Sequence, residues 1–209
     1  MTDQFDGPSG TIRFGYGSNY TEIEGDGTIA LAGDATTWDD LRVALETGKL
    51  TGANNPAFEQ VSDNGAGSAG VYAYNFDDGD EIWFSVQLPH TWKEGSTIYP
   101  HLHWCAEGNA SGDNIGIGLE YVWKNINETF GNTTIITRDV AGDTALKHLI
   151  HNFAVAGIDG TGQTISSVLL CRFFRQAAGA DNYAGGIFAT EIDFHFEIDT
   201  MGSRAILSK

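Results

Sequence analysis

Hydrophobic and polar residues alternate with a period of two along most of the chain beyond residue 70. Glu81–Leu88 sets Ile82, Phe84, Val86 and Leu88 against Trp83, Ser85 and Gln87. Thr97–Trp104 sets Ile98, Leu102 and Trp104 against Tyr99, His101 and His103. Ile115–Trp123 carries Ile115, Ile117, Leu119, Tyr121 and Trp123 on one side. The cleanest run, Ile187–Asp199, opposes Ile192, Phe194, Phe196 and Ile198 to Glu191, Asp193, His195, Glu197 and Asp199. Val71–Phe76, Thr133–Arg138, a segment near Leu146–Val155 and Ile165–Arg175 are further strand-like runs. Successive side chains of a strand point to opposite faces, so each run makes one buried and one polar face. Seven or eight such strands predict an all-β fold, an antiparallel double-sheet jelly-roll sandwich over residues 71–209.

The first third reads differently. Residues 46–70 are rich in Gly and Asn and predict a linker. Residues 1–45 predict an extended or hairpin-forming N-terminal arm. Within it, Thr37 as N-cap, early Asp39 and Asp40, and Trp38, Leu41 and Leu45 on one helical face allow one short helix. The chain's 27 glycines follow no fixed period, which removes solenoids and propellers. Gly65-x-Gly67-x-x-Gly70 matches a dinucleotide-binding fingerprint in letters only, because a strand follows where a helix is required.

Composition narrows the function. Five Trp, seven Tyr and twelve Phe within 209 residues supply a real core and exclude global disorder. Eleven Lys and Arg against 28 Asp and Glu leave a net charge of −17, which disfavours nucleic acid as a partner. Cys105 and Cys171 are too few for a disulfide framework and sit in apolar runs, so two buried free thiols are expected. The first residues lack a basic and then apolar leader, and no apolar stretch reaches the ~18 residues of a membrane span. The expectation is synthesis in a bacterial cytoplasm, with no membrane partner. The N-x-[ST] matches at Asn19, Asn109, Asn127 and Asn132 have no meaning without secretion.

Two clusters carry candidate chemistry. Gly95-x5-His101-x-His103-x3-Glu107 is similar to the first metal motif of the cupins, themselves small jelly rolls. On a strand His101 and His103 share a face and can share a metal. The closing glycine of that motif falls at Asn114, however, and no Pro-x-Gly-x-x-His stretch supplies its second half; His148 and His151 stand in another context. A hydrogen-bonded polar patch or an interface pair is the simpler expectation, with no metal and no cofactor called for; His101, His103 and Glu107 are the candidate ligands if one is held. The second cluster is the row Glu191, Asp193, His195, Glu197 and Asp199. It could coordinate Ca²⁺ or act as a glycosidase carboxylate pair, and most simply forms a solvated or subunit-facing outer surface. No G-x-S-x-G, Walker, C-x-x-C or H-E-x-x-H motif occurs. Trp83, opposite its strand's core face, and Trp92, in the turn Pro89-His90-Thr91-Trp92, suggest a subunit interface or a sugar platform.

The stretch Leu88-Pro-His-Thr-Trp-Lys-Glu-Gly-Ser-Thr-Ile-Tyr-Pro-His-Leu-His-Trp104 resembles a recurring signature of small virion proteins of tailed bacteriophages. So do Leu119-Glu-Tyr-Val-Trp-Lys-Asn-Ile-Asn127, Gly131-Asn-Thr-Thr134 and Glu191-Ile-Asp-Phe-His-Phe-Glu-Ile-Asp199. The resemblance implies a jelly roll that assembles as a homotrimer and decorates the outer capsid surface, cementing neighbouring major capsid protein subunits. It implies no enzymatic activity. On this reading Trp83, Trp92, Tyr99, His101 and His103 are interface residues. Alternatives are a head-fibre, neck or tail component with a glycan-binding jelly roll, and a cupin-like metal enzyme using His101, His103 and Glu107.

Overall fold

The computed structural model describes residues 4–5, 10–176 and 179–209; residues 1–3 and 6–9 of the expected arm lie outside this set. The elements in chain order are β1 (Gln4–Phe5), β2 (Ile12–Tyr16), β3 (Asn19–Ile23), β4 (Ile29–Ala32), β5 (Thr37–Ala44), β6 (Ala57–Ser62) and β7 (Val71–Phe76). They continue with β8 (Glu81–Gln87), β9 (Tyr99–Ala106), β10 (Asn114–Lys124), β11 (Thr134–Ala141), β12 (Leu149–Asn152), β13 (Val168–Arg175) and β14 (Ile187–Ile198).

The last eight strands pair as nested antiparallel hairpins: β10 with β11, β9 with β12, β8 with β13, and β7 with β14. This is the pattern of one long hairpin rolled up on itself. Rolling produces two sheets, β11-β10-β13-β8 and β12-β9-β14-β7-β6. The fold is therefore an antiparallel double-sheet jelly roll, as the alternation predicted. The predicted inner faces meet between the sheets. Ile82, Leu102, Ile115, Ile117, Leu119, Ile192 and Phe194 are all fully buried there. Phe76 and Phe153 lie edge-on to Phe173, with ring centroids 4.8 and 5.9 Å away, which suits the aromatic quadrupole.

Two sequence expectations change. Thr37–Ala44 is strand, not helix. Its spacing satisfied both periods: Trp38, Leu41 and Leu45 for a helix, and Leu41, Val43 and Leu45 for a strand. Tertiary pairing decides, because β5 runs antiparallel to the second half of β14 from Glu191↔Ala44 to Ile198↔Thr37. Leu41 and Val43 then pack on the core, and Leu45 is fully buried. Within the expected 46–70 linker, Ala57–Ser62 forms β6 and extends the larger sheet beyond β7. The N-terminal arm folds into a four-stranded meander, β1-β2-β3-β4, tied to the body where Leu31 N–H donates to the carbonyl of Asp199 at 2.6 Å.

One buried cation closes the far end. Arg175 is 2 % exposed, donates from Nη1 to the Phe76 carbonyl at 3.0 Å and from Nη2 to the Tyr183 carbonyl at 2.7 Å, and faces Asp181 at 3.8 Å. It pins the loop that leads into β14.

Candidate functional site

The outer face of the larger sheet holds the densest chemistry among the described residues. β9 projects Tyr99, His101 and His103 outward, as predicted, and β14 projects Glu191, Asp193 and His195 beside them. The register sets His101 opposite Asp193, His103 opposite Glu191, and Tyr99 opposite His195. A β-bulge at Thr190 shifts that register immediately before the cluster, and Thr190 Oγ1 donates to the His103 carbonyl at 3.2 Å. Without this extra residue Asp193 would sit one place away from His101.

The ligand atoms of His101, His103 and Asp193 all lie within 4.8 Å of one another. Asp193 Oδ2 is 3.1 Å from His103 Nε2 and 3.5 Å from His101 Nε2. His101 Nδ1 contacts the Tyr99 carbonyl at 3.2 Å, so this nitrogen is the N–H donor. His103 Nδ1 shares a 2.9 Å hydrogen bond with His148 Nε2. The close approach of His103 Nε2 to Asp193 lacks hydrogen-bond geometry. Both His103 Nε2 and Asp193 Oδ1 are buried without a hydrogen-bond partner. Around this centre, His195 pairs with Asp40 at 2.7 Å while Trp38 stacks on its ring at 5.0 Å. Glu197 accepts from Thr36 Oγ1 at 2.7 Å and Lys93 Nζ at 2.8 Å. Within the acidic row His195 and Glu197 are thus partnered rather than freely solvated, and β5 runs alongside both.

The sequence-predicted residues separate. His101 and His103 come together; Glu107 does not join them. It stands four residues past His103, about 13 Å along an extended strand, and accepts from Asn75 Nδ2 and Gly186 N–H instead. Its place is taken by Asp193, whose partnership with His101 is a matter of register that spacing alone does not reveal. His148 was likewise set aside for its context, yet folds back against His103. Trp92 is no surface residue: it is fully buried, with its ring centroid 5.5 Å from that of Trp123. A turn position gave no periodicity from which its burial could be read. Tyr99 and Trp83 are half-buried on outer faces.

Trp83 lines a separate groove of ≈ 620 Å³ along the β8 edge of the smaller sheet, together with Val43, Lys49, Glu120, Leu170 and Arg172. Arg172 binds Glu120 at 2.6 Å and also pairs with Glu81. Hydrogen bonds from Thr133 and Arg172 hold the Glu120 carboxyl below the usual range. A third feature escaped sequence reading altogether. The core aromatic stripe continues outward along β7 from buried Phe76 to Tyr74 and then to Tyr72, with Phe58 of β6 stacked on Tyr72 at 5.6 Å. At this end Phe58 is 57 % and Tyr72 44 % exposed. Both thiols are free and buried, and burial pushes their pKa values up, which keeps them protonated and unreactive.

No family model matches the chain, and no curated protein does. Solved structures with some likeness include infectious bursal disease virus Gx strain, with 14 % identity and a TM-score of 0.37 over 89 % of this chain and 40 % of that one. The enzymatically active domain of tailspike protein 4 from bacteriophage CBA120 gives 6 % and 0.36, covering 77 % of this chain and 19 % of that one. A xylan-binding domain from Paenibacillus barcinonensis gives 14 % and 0.32, covering 76 % and 91 %. The chain spans less than half the length of the first two. Among its described residues, no helix is long and apolar enough to cross a membrane.

Proposed function

We propose that this chain is a non-enzymatic structural protein of a bacteriophage virion, and specifically a capsid decoration protein that self-assembles as a homotrimer and docks on the major capsid protein. The observation that carries the reading is the aromatic stripe that leaves the sealed core. Inner-sheet residues normally meet a second sheet, but Phe58 and Tyr72 stay 57 % and 44 % exposed. They lie on β6 and β7, at the end of the larger sheet, where β6 also offers an unpaired edge. An exposed apolar face joined to an open strand edge favours burial by another chain. The signature shared with small virion proteins supports a virion setting, and a net charge of −17 suits a protein on the outside of a DNA-filled head.

Native mass spectrometry of the purified chain tests the assembly. A trimer is expected, and the double variant Phe58→Ser with Tyr72→Ser should shift it toward monomer while the far-UV circular dichroism stays that of the parent. A parent that remains monomeric at every concentration, or a trimer indifferent to the double variant, would remove the claim that this stripe is the interface.

The groove around Trp83 supports a second reading, a tail or fibre component that binds glycan. An aromatic ring flanked by Glu120 and Arg172 matches what a sugar needs, a flat apolar platform with charged groups at its rim. Binding to host-surface polysaccharide that disappears in Trp83→Ala, with the fold intact, would favour it over decoration.

A further inference from the structure

The convergence of His101, His103 and Asp193 poses an electrostatic problem. The Nδ1–H of His101 is committed to the Tyr99 carbonyl, and its Nε2 faces Asp193 Oδ2 at 3.5 Å. His103 Nε2 makes no hydrogen bond, and Asp193 Oδ1 is also unpaired. Two imidazoles and a carboxylate thus bring ligand atoms within 4.8 Å of one another. Asp193 is 5 % and His101 7 % exposed, so bulk water does little to satisfy them. Buried ligand atoms left without hydrogen bonds are what a bound cation satisfies.

We infer that His101, His103 and Asp193 form a binding site for a divalent transition-metal ion of the Zn²⁺ type, clamping β9 to β14 on the outer face of the jelly roll. The donor set is right: two imidazoles and one carboxylate suit Zn²⁺ better than the all-oxygen shell that Ca²⁺ or Mg²⁺ demands. Two of the three spacings suit it as well. Ligands at ~2.0–2.1 Å from a tetrahedral ion lie about 3.3 Å apart, against 3.1 and 3.5 Å for the two Asp193 contacts, with all three ligand atoms within 4.8 Å of one another. The supporting groups are in place, since ligating histidines usually anchor the second ring nitrogen. Here the Tyr99 carbonyl anchors His101, and His148 anchors His103. The His103 side chain keeps 20 % exposure, so a fourth ligand would come from the solvent side. This inference stands apart from the virion reading: its failure would leave the aromatic interface untouched.

The test is titration of the chelator-stripped, full-length protein with Zn²⁺ alone, followed by calorimetry and native mass spectrometry, with Co²⁺ as a spectroscopic probe. One ion per chain is expected, with a saturable rise in the unfolding midpoint and the visible absorption of four-coordinate Co²⁺. Asp193→Asn, nearly isosteric, and His103→Ala should each abolish binding while the far-UV circular dichroism is retained. His148→Ala should weaken it by ~10–100-fold, as expected for a residue that only orients a ligand. Glu107→Gln should bind as the parent does. Absence of Zn²⁺ binding by the folded parent would overturn the assignment, as would stoichiometric binding that survives in both Asp193→Asn and His103→Ala.

Discussion

Two buried indoles in contact differ in one respect, and that difference predicts unequal responses to the same substitution. Trp92 is fully buried and its Nε1–H has no partner, whereas Trp123 donates from Nε1 to Ser167 Oγ at 2.9 Å. Replacing either with Phe removes the same part of the ring system, a loss of roughly 1 kcal/mol at about 25 cal/mol per Å² of apolar surface. At Trp123 the change also strands the Ser167 hydroxyl, itself fully buried, which adds about 1–3 kcal/mol. At Trp92 the change deletes an unsatisfied donor, whose desolvation cost of similar size is then relieved. Trp92→Phe should therefore be neutral to stabilising, by ~0–2 kcal/mol, and Trp123→Phe should cost about 2–4 kcal/mol. Urea unfolding followed by far-UV circular dichroism measures both without relying on the altered fluorophores, and the denaturant slope should not change. Equal costs, or a larger cost at Trp92, would refute the assignment of hydrogen bonding in the core.

Two further outcomes follow from buried polar groups. Arg175→Ala should cost ~3–5 kcal/mol, because it leaves Asp181 and the Phe76 and Tyr183 carbonyls without their cation, and hydrogen exchange should quicken first across 181–186. His151 accepts from Trp104 Nε1–H at 3.1 Å, and burial, with Arg138 second, holds its pKa below the ordinary 6.5. Its unfolded form therefore binds the proton more readily, so the stability it contributes is full above pH 6.5 and is lost as pH falls through the lower folded value. Unfolding midpoints measured on both sides of that value should fall on acidification for the parent and fall less for His151→Gln.

The jelly roll was legible because β8, β9, β10 and the part of β14 beyond its bulge each carry alternation, and burial of one face is what alternation encodes. Where two periods fit the same residues, as at Thr37–Ala44, only the partner strand β14 settles the matter. Within Leu88–Trp104, the stretch that carries the resemblance, Leu88, Trp92, Ile98, Leu102 and Trp104 are all fully buried. That stretch therefore specifies packing within the sandwich, and Trp92 read as an interface residue only because a turn has no face. The candidate site was half legible. His101-x-His103 shows that two imidazoles share a face, but Asp193 comes from another strand ninety residues on, placed by a bulge that no local pattern announces. Phe58 lies in a segment whose Gly and Asn content concealed a strand, so the exposed aromatic end of the sheet became visible only once β6 was paired with β7.

The most direct measurement of the central claim is peptide quantification of this chain in purified virions, scaled to the major capsid protein. A decoration role predicts hundreds of copies per particle, retained through density-gradient purification and in whole multiples of a trimer per capsid lattice site. Absence of the chain from purified particles would contradict the virion reading, and a complement of only a few to a dozen copies would contradict decoration.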